Sequence, residues 1–177
     1  AKTYYFDDLA FATGSGSGGG GGSGSSWSPI TFDASTVTYT LTGFGGADDS
    51  SVALDPTGGS NQVAKVLKSA TAELWAGTTV STGANLSVPT LPFTASSTKM
   101  TVKVYSPDAG IQVRLKVEDA ADPTRSVETE ATTSVANGWE TLTFDFANQV
   151  AGTAALNLAY SYTKVSIFFN FGVTGAS

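Results

Sequence analysis

Apolar and polar residues alternate along most of this chain with a period of two. In "KMTVKVYSPDAG", Met100, Val102 and Val104 fall on one side and Thr101, Lys103 and Tyr105 on the other, before a turn at "SPDAG". "IQVRLKVED" repeats the pattern, with Ile111, Val113, Leu115 and Val117 opposed to Gln112, Arg114, Lys116 and Glu118. Successive strand side chains point to opposite faces, so this alternation predicts strands with one face in a core. "VTYTLTGF", "QVAKVLKSA", "SVETEATTSV", "WETLTFDF" and "KVSIFFNFG" read the same way, each bounded by turn residues. Helical periodicity is almost absent. "GTAALNLAY" fits either a helical turn or a loop carrying a short strand. Many short strands at regular spacing predict an all-β fold, an antiparallel β-sandwich of the jelly-roll kind.

One strand stands apart. "TYYFDDLAF" lies within residues 1–12 and is followed by residues 13–26, which from Gly14 to Ser26 are glycine and serine alone. Such a tract has no apolar surface to offset the entropy of ordering it, so it reads as a flexible linker of roughly 20 Å. A lone strand is not stable. It is expected to join the sandwich built by residues 27–177 and to dock beside the first strand of that body, "ITFD". Residues 1–12 then form a relocated closing strand of a single domain. Two origins fit this order: circular permutation through an engineered linker, or a stretch cut out of phase from a tandem array.

Composition narrows the chemistry. Of 177 residues, 9 are basic and 15 acidic, for a net charge of −6. An acidic chain with no basic cluster is a poor partner for nucleic acid, and no apolar run reaches the length of a membrane span. There is no cysteine and no histidine. Disulfides, thiolate zinc sites and imidazole bases are therefore excluded. Any metal must take oxygen ligands, which points to calcium. Catalysis is not expected, because neither a carboxylate pair nor a nucleophile elbow is marked in the sequence. A Thr-rich, low-Lys β domain of this kind suits a secreted or cell-surface location.

Read from "ITFD" round to "YYFDDLAF", the chain resembles the β-sandwich carbohydrate-binding modules of families 4, 11, 16 and 22. Those modules commonly begin with a Phe-Glu or Phe-Asp pair and close with a Tyr-aliphatic-Asp-Asp-aliphatic strand. "MTVKVYSPDAGIQVRLKVED" and "NGWETLTFDF" are similar to their central strands and Trp-bearing strand. The resemblance implies a structural calcium held by Asp33, the Thr31 carbonyl, Asp7 and carbonyls around Gly59 and Gln62. Asp33 stands where Glu is common, which shortens the reach.

The residues themselves point to the same seam. Simple alternation puts Asp7 on the face of Tyr5, Leu9 and Phe11, so if Leu9 and Phe11 face inward the carboxylate does too. A buried carboxylate needs a partner. Two carboxylates, Asp7 and Asp33, meeting there would repel unless a cation lay between them. The opposing reading is that Asp7 and Asp8 cap a strand end in water.

Sugar sites pair an aromatic platform with planar polar side chains that bond hydroxyls. The polar strand faces supply such groups: Lys103 and Tyr105, then Gln112, Arg114, Lys116 and Glu118, then Phe168 and Asn170, with Glu128 and Glu130 nearby. Taken singly, each charge fits an ordinary solvated face of cross-strand ion pairs. Of the tryptophans, Trp75, ahead of a Gly-Thr loop, is the best platform, Trp139 is expected in the core at the sandwich edge, and Trp27 reads as a junction residue. The chain thus reads as a non-catalytic module binding a polysaccharide, a β-glucan or related plant or algal glycan. It is expected to be monomeric, with a domain-swapped dimer as the competing state. The other reading is a structural or adhesive spacer domain of an extracellular protein, without a sugar site.

Overall fold

A computed structural model of the chain describes residues 1–12 and 27–176. The linker expected at 13–26 lies outside the described residues. Ten strands are described: β1 Lys2–Phe11, β2 Thr40–Phe44, β3 Asp49–Leu54, β4 Gln62–Lys68, β5 Gly77–Ser81, β6 Lys99–Ser106, β7 Gln112–Asp119, β8 Asp122–Thr132, β9 Gly138–Asp145 and β10 Lys164–Phe169. A single 3-10 turn, Ala84–Leu86, is the one helical element among them. No described helix is long and apolar enough to cross a membrane.

The strands form two five-stranded antiparallel sheets, a β-sandwich. The first, sheet I, has the order β3-β4-β1-β6-β9, and sheet II the order β2-β5-β10-β7-β8. β1 sits in the middle of sheet I, paired on both sides with β4 and β6. Its backbone pairing with "ITFD" is one bridge, Leu9 with Ile30. The alternation read from β6 and β7 holds: Met100, Val102, Val104, Val113, Leu115 and Val117 are all buried. The two sheets meet through aromatic rings. Tyr4 of sheet I stacks on Phe169 of sheet II at 4.8 Å and an interplanar angle of 5°, and Phe6 packs edge-on against Phe32.

Four expectations need correcting. The "Gly-Thr loop" after Trp75 is β5, and all five of its residues are buried. Its small and β-branched residues sit between β2 and β10 and never alternate, which is why the period-two signal missed it. "GTAALNLAY", open between a helical turn and a short strand, is neither: it has turns at its ends and irregular backbone between them. Trp139 lies outside the inter-sheet core, half-buried on the outer face of sheet I. Trp27 packs edge-on against Phe11 at 5.8 Å and donates its indole N–H to the Pro89 carbonyl, so it closes one end of the sandwich.

The fourth correction concerns β1. Tyr4 and Phe6 point inward, yet so does Leu9, an odd number of residues further on. A bulge between Asp7 and Ala10 changes the parity, and Asp8 takes φ +48° to make it. Asp is among the few non-glycine residues that enter this left-handed region readily. Asp7 therefore lies on the outer face with Tyr5, not with Leu9. It is nonetheless only 2% exposed.

Candidate functional site

The outer face of sheet II carries a groove built on a regular lattice of cross-strand rows. One row runs Thr42, Thr79, Ser166, Lys116, Glu128 across β2, β5, β10, β7 and β8. Thr79 and Ser166 share a hydrogen bond of 2.8 Å and make a flat, small-residue floor. The adjacent row supplies an aromatic wall: Phe44 and Phe168 pack edge-on at 5.6 Å, with Phe171 beyond at 5.8 Å from Phe168. Gly77 makes this wall possible. A Cβ there would lie 2.6 Å from a Phe168 ring carbon and 2.9 Å from Phe44.

Trp75 forms the rim. Its loop is held by backbone bonds from Glu73 N–H to Gly45 and from Gly172 N–H to Leu74. The indole lies nearly parallel to Phe44 at 6.1 Å and remains 51% exposed, an uncommon state for so large an apolar surface. Gly45, at φ +67°, lets the chain pass behind it: a Cβ there would lie 2.9 Å from the indole.

The polar side of the groove is fully ion-paired. The Arg114 guanidinium meets Glu128 at 2.8 Å and donates through Nε to Glu130 at 2.7 Å, while lying 3.5 Å from the centre of the Phe171 ring. Glu118 takes Lys116 at 2.6 Å and Lys164 at 3.6 Å. Three cations and three carboxylates therefore cancel, and the side chains are locked in place. The open groove between them has a volume of about 540 Å³.

Of the residues expected at a sugar site, Trp75, Arg114, Lys116, Glu118 and Phe168 line this one groove. Phe168 contributes little surface, being 8% exposed beneath its aromatic neighbours. The others do not join them. Lys103 and Tyr105 belong to β6, in sheet I, and so lie on the opposite side of the sandwich. Alternation assigns a residue to a face but not a strand to a sheet, which is how they came to be grouped together. Gln112 is exposed and bonds Glu130 from outside the groove. Asn170, at φ +49°, turns its carbonyl to the buried Lys68 ammonium. Phe44, Phe171, Lys164, Thr79 and Ser166 also line the groove without having been singled out in the sequence. Lys164, Ser166 and Phe168 share one face of "KVSIFF", so the spacing was there to read.

The second candidate site is the seam. Asp7 accepts hydrogen bonds from the Asn61 amide at 3.1 Å and from the Asp8 N–H at 2.8 Å. Burial raises its pKa above the ordinary carboxylate value. Those bonds only partly offset the effect, and the charges of Asp8 and Asp33 add to it. Asp33 is exposed and accepts the Gln62 N–H at 2.9 Å. Gln62 thus acts on Asp33 through its N–H, and Gly59 has open space where a Cβ would be. Thr31 lies beside the Leu9–Ile30 bridge. Among the described residues no group of three or more His, Cys, Asp or Glu converges as a metal cage. What fits calcium is the donor chemistry: two close carboxylates, one of them buried without a cation, beside an amide. What the residues do not supply is a third acidic ligand.

No protein-family model, curated protein or solved structure matches the chain.

Proposed function

We propose that the protein is a non-catalytic carbohydrate-binding module and that the sheet II groove takes a neutral polysaccharide, a β-glucan or related plant or algal glycan. The observation that carries this reading is the exposed Trp75 indole set at the rim of a groove whose charges are already paired. A pyranose offers an apolar C–H face for the indole and hydroxyls that hydrogen-bond to fixed ionic groups. Net neutrality favours a neutral chain, and preorganised side chains lower the ordering cost on binding. Asp7 and Asp33 would hold a structural calcium at the seam, clamping β1 to the segment after Ile30. The setting is extracellular, as a module attaching a larger protein to glycan.

Affinity electrophoresis in gels containing barley β-glucan, laminarin or xylan tests this. Retardation by one of them that is lost in Trp75→Ala, with an unchanged melting temperature, supports the groove. The spacer reading draws on the same ion pairing, since a lattice of satisfied charges also suits a solvated face. It would gain if no neutral glycan retards the protein.

A further inference from the structure

The outer face of sheet I carries a second aromatic row, opposite the groove. Tyr5, Tyr105 and Trp139 are directly cross-strand on β1, β6 and β9. Their rings pack edge-on, at 5.8 Å between the tyrosines and 5.7 Å from Tyr105 to Trp139. All three are half-buried, so each keeps part of its surface in solvent. Neighbouring strands lie about 4.8 Å apart, which makes a strip of ring surface roughly 10 Å long across the strands.

The strip is held rigid. The indole N–H of Trp139 donates to Asp55, at the start of the loop joining β3 and β4, at 3.1 Å. That loop is held from its far end by Asn61 on Asp7. Val63, one residue beyond Gln62, is completely buried although it lies outside the inter-sheet core. This face is therefore a built surface with its own small packed patch.

Its charges differ in kind from those of the groove. Among the described residues, six of the nine basic side chains pair with carboxylates. Lys68 is buried on backbone carbonyls. The remaining two, Lys65 and Lys103, both lie on this face. Lys65 is directly opposite Tyr5, and the Lys103 ammonium sits 5.2 Å from the centre of a Trp139 ring. Of the nearby carboxylates, Asp7 stands directly opposite Lys103 across β1 and β6 but forms no ion pair with it and is held by Asn61, and Asp55 is engaged by Trp139. Asp49 stands on the edge strand β3.

We propose that this strip is a second glycan site, and that it takes a carboxylated polysaccharide, a polyuronate. Pyranose C–H faces would lie on the Tyr5–Tyr105–Trp139 rings, and the uronate carboxylates would meet Lys65 and Lys103. A neutral glycan would leave the two ammonium groups without counter-charge, so charge complementarity favours a carboxylated chain over a neutral one. The net charge of −6 opposes a polyanion only weakly, because carboxylates farther than a Debye length of about 10 Å at 0.1 M salt are screened. This site stands independently of the sheet II groove, on the other side of the sandwich.

Affinity electrophoresis of the full chain in gels containing sodium polygalacturonate or sodium alginate, without added calcium, is the test. Carrageenan and barley β-glucan serve as the sulfated and neutral comparisons. The expected result is retardation by a polyuronate that weakens with salt and persists in Trp75→Ala. Lys65→Gln and Lys103→Gln should each weaken it about three- to fivefold, the worth of an exposed ion pair. Tyr105→Ala should weaken it further with the melting temperature checked alongside. The lysine variants, which leave the aromatic packing in place, keep the test valid if Tyr105→Ala unfolds. Three results would overturn the proposal: no retardation by either polyuronate, retardation only by carrageenan, or retention that is lost in Trp75→Ala but unchanged in both lysine variants. The neutral-glycan lanes report on the groove separately.

Discussion

Replacing Lys68 by methionine should change how stability depends on pH more than it changes stability at neutral pH. Lys68 is 1% exposed at the end of β4 and has no carboxylate partner. Its ammonium donates to the Phe169 carbonyl at 3.0 Å and the Asn170 carbonyl at 2.9 Å. Burial lowers its pKa from 10.5 to about 8. The folded pKa is the lower one, so between about pH 8 and 10.5 the unfolded chain holds a proton that the folded chain has released. Stability from this group therefore rises with pH through that window. A full shift of this size corresponds to roughly 3 kcal/mol, and solvent relaxation around the amine brings the expected gain to about 1–3 kcal/mol. The neutral amine keeps two N–H donors, enough for both carbonyls. Methionine removes the desolvation cost of the ammonium but leaves those carbonyls unpaired, at about 1–3 kcal/mol each. The two effects oppose one another at pH 7, so the variant should be neutral to moderately destabilised there. By pH 10 the wild type should have pulled ahead by a further 1–3 kcal/mol or so. Urea unfolding followed by tryptophan fluorescence, for both proteins at several values from pH 7 to 10, measures this difference directly. A wild-type-minus-variant stability that stays flat across the range would refute the assignment of a strained buried ammonium. Above pH 10 the sign reverses for Tyr4. Burial pushes its pKa up to about 12, so stability from that group falls as pH rises from 10 to 12. Tyr4→Phe should remove that loss.

Trp75→Ala should cost roughly 1–2 kcal/mol of neutral-glycan affinity, about a tenfold loss, with little change in melting temperature. Gly77→Ala should destabilise the fold by about 1–3 kcal/mol in urea unfolding, because its methyl would press into the Phe44 and Phe168 rings; an unchanged midpoint would mean that the wall can shift. In chelator, Asp7→Asn should raise stability at neutral pH. The folded pKa of Asp7 lies above its ordinary value, so the ionised group weakens the fold as pH rises through the carboxylate range. In millimolar calcium the same substitution should lower stability instead, and identical melting curves with and without calcium would remove the metal. Cleaving the chain within residues 13–26 should leave residues 1–12 bound at micromolar dilution, as sedimentation would show, because Tyr4, Phe6 and Leu9 are each at most 1% exposed and contribute about 1.5–3 kcal/mol apiece.

The alternation of apolar and polar residues by itself determined the fold class and the inward faces of β6 and β7. A strand with one face in a core must alternate, and a one-residue slip would expose its whole apolar set. Asp7 was also legible as a buried carboxylate, although through the wrong face. A bulge is a local backbone event driven by pairing on both sides, and the dipeptide Asp7-Asp8 marks it only in hindsight. β5 was not legible, because a strand buried throughout between two neighbours has no pattern to alternate. The division of strands between the two sheets was beyond the sequence altogether. It follows from hydrogen bonds between segments far apart in the chain, and period-two patterning carries no record of partners. That division decided the functional geometry. It placed Trp75 with Arg114, Lys116, Glu118 and Phe168 in one groove, and it moved Lys103 and Tyr105 about one sandwich thickness away, roughly 10 Å between sheets, onto a face of their own.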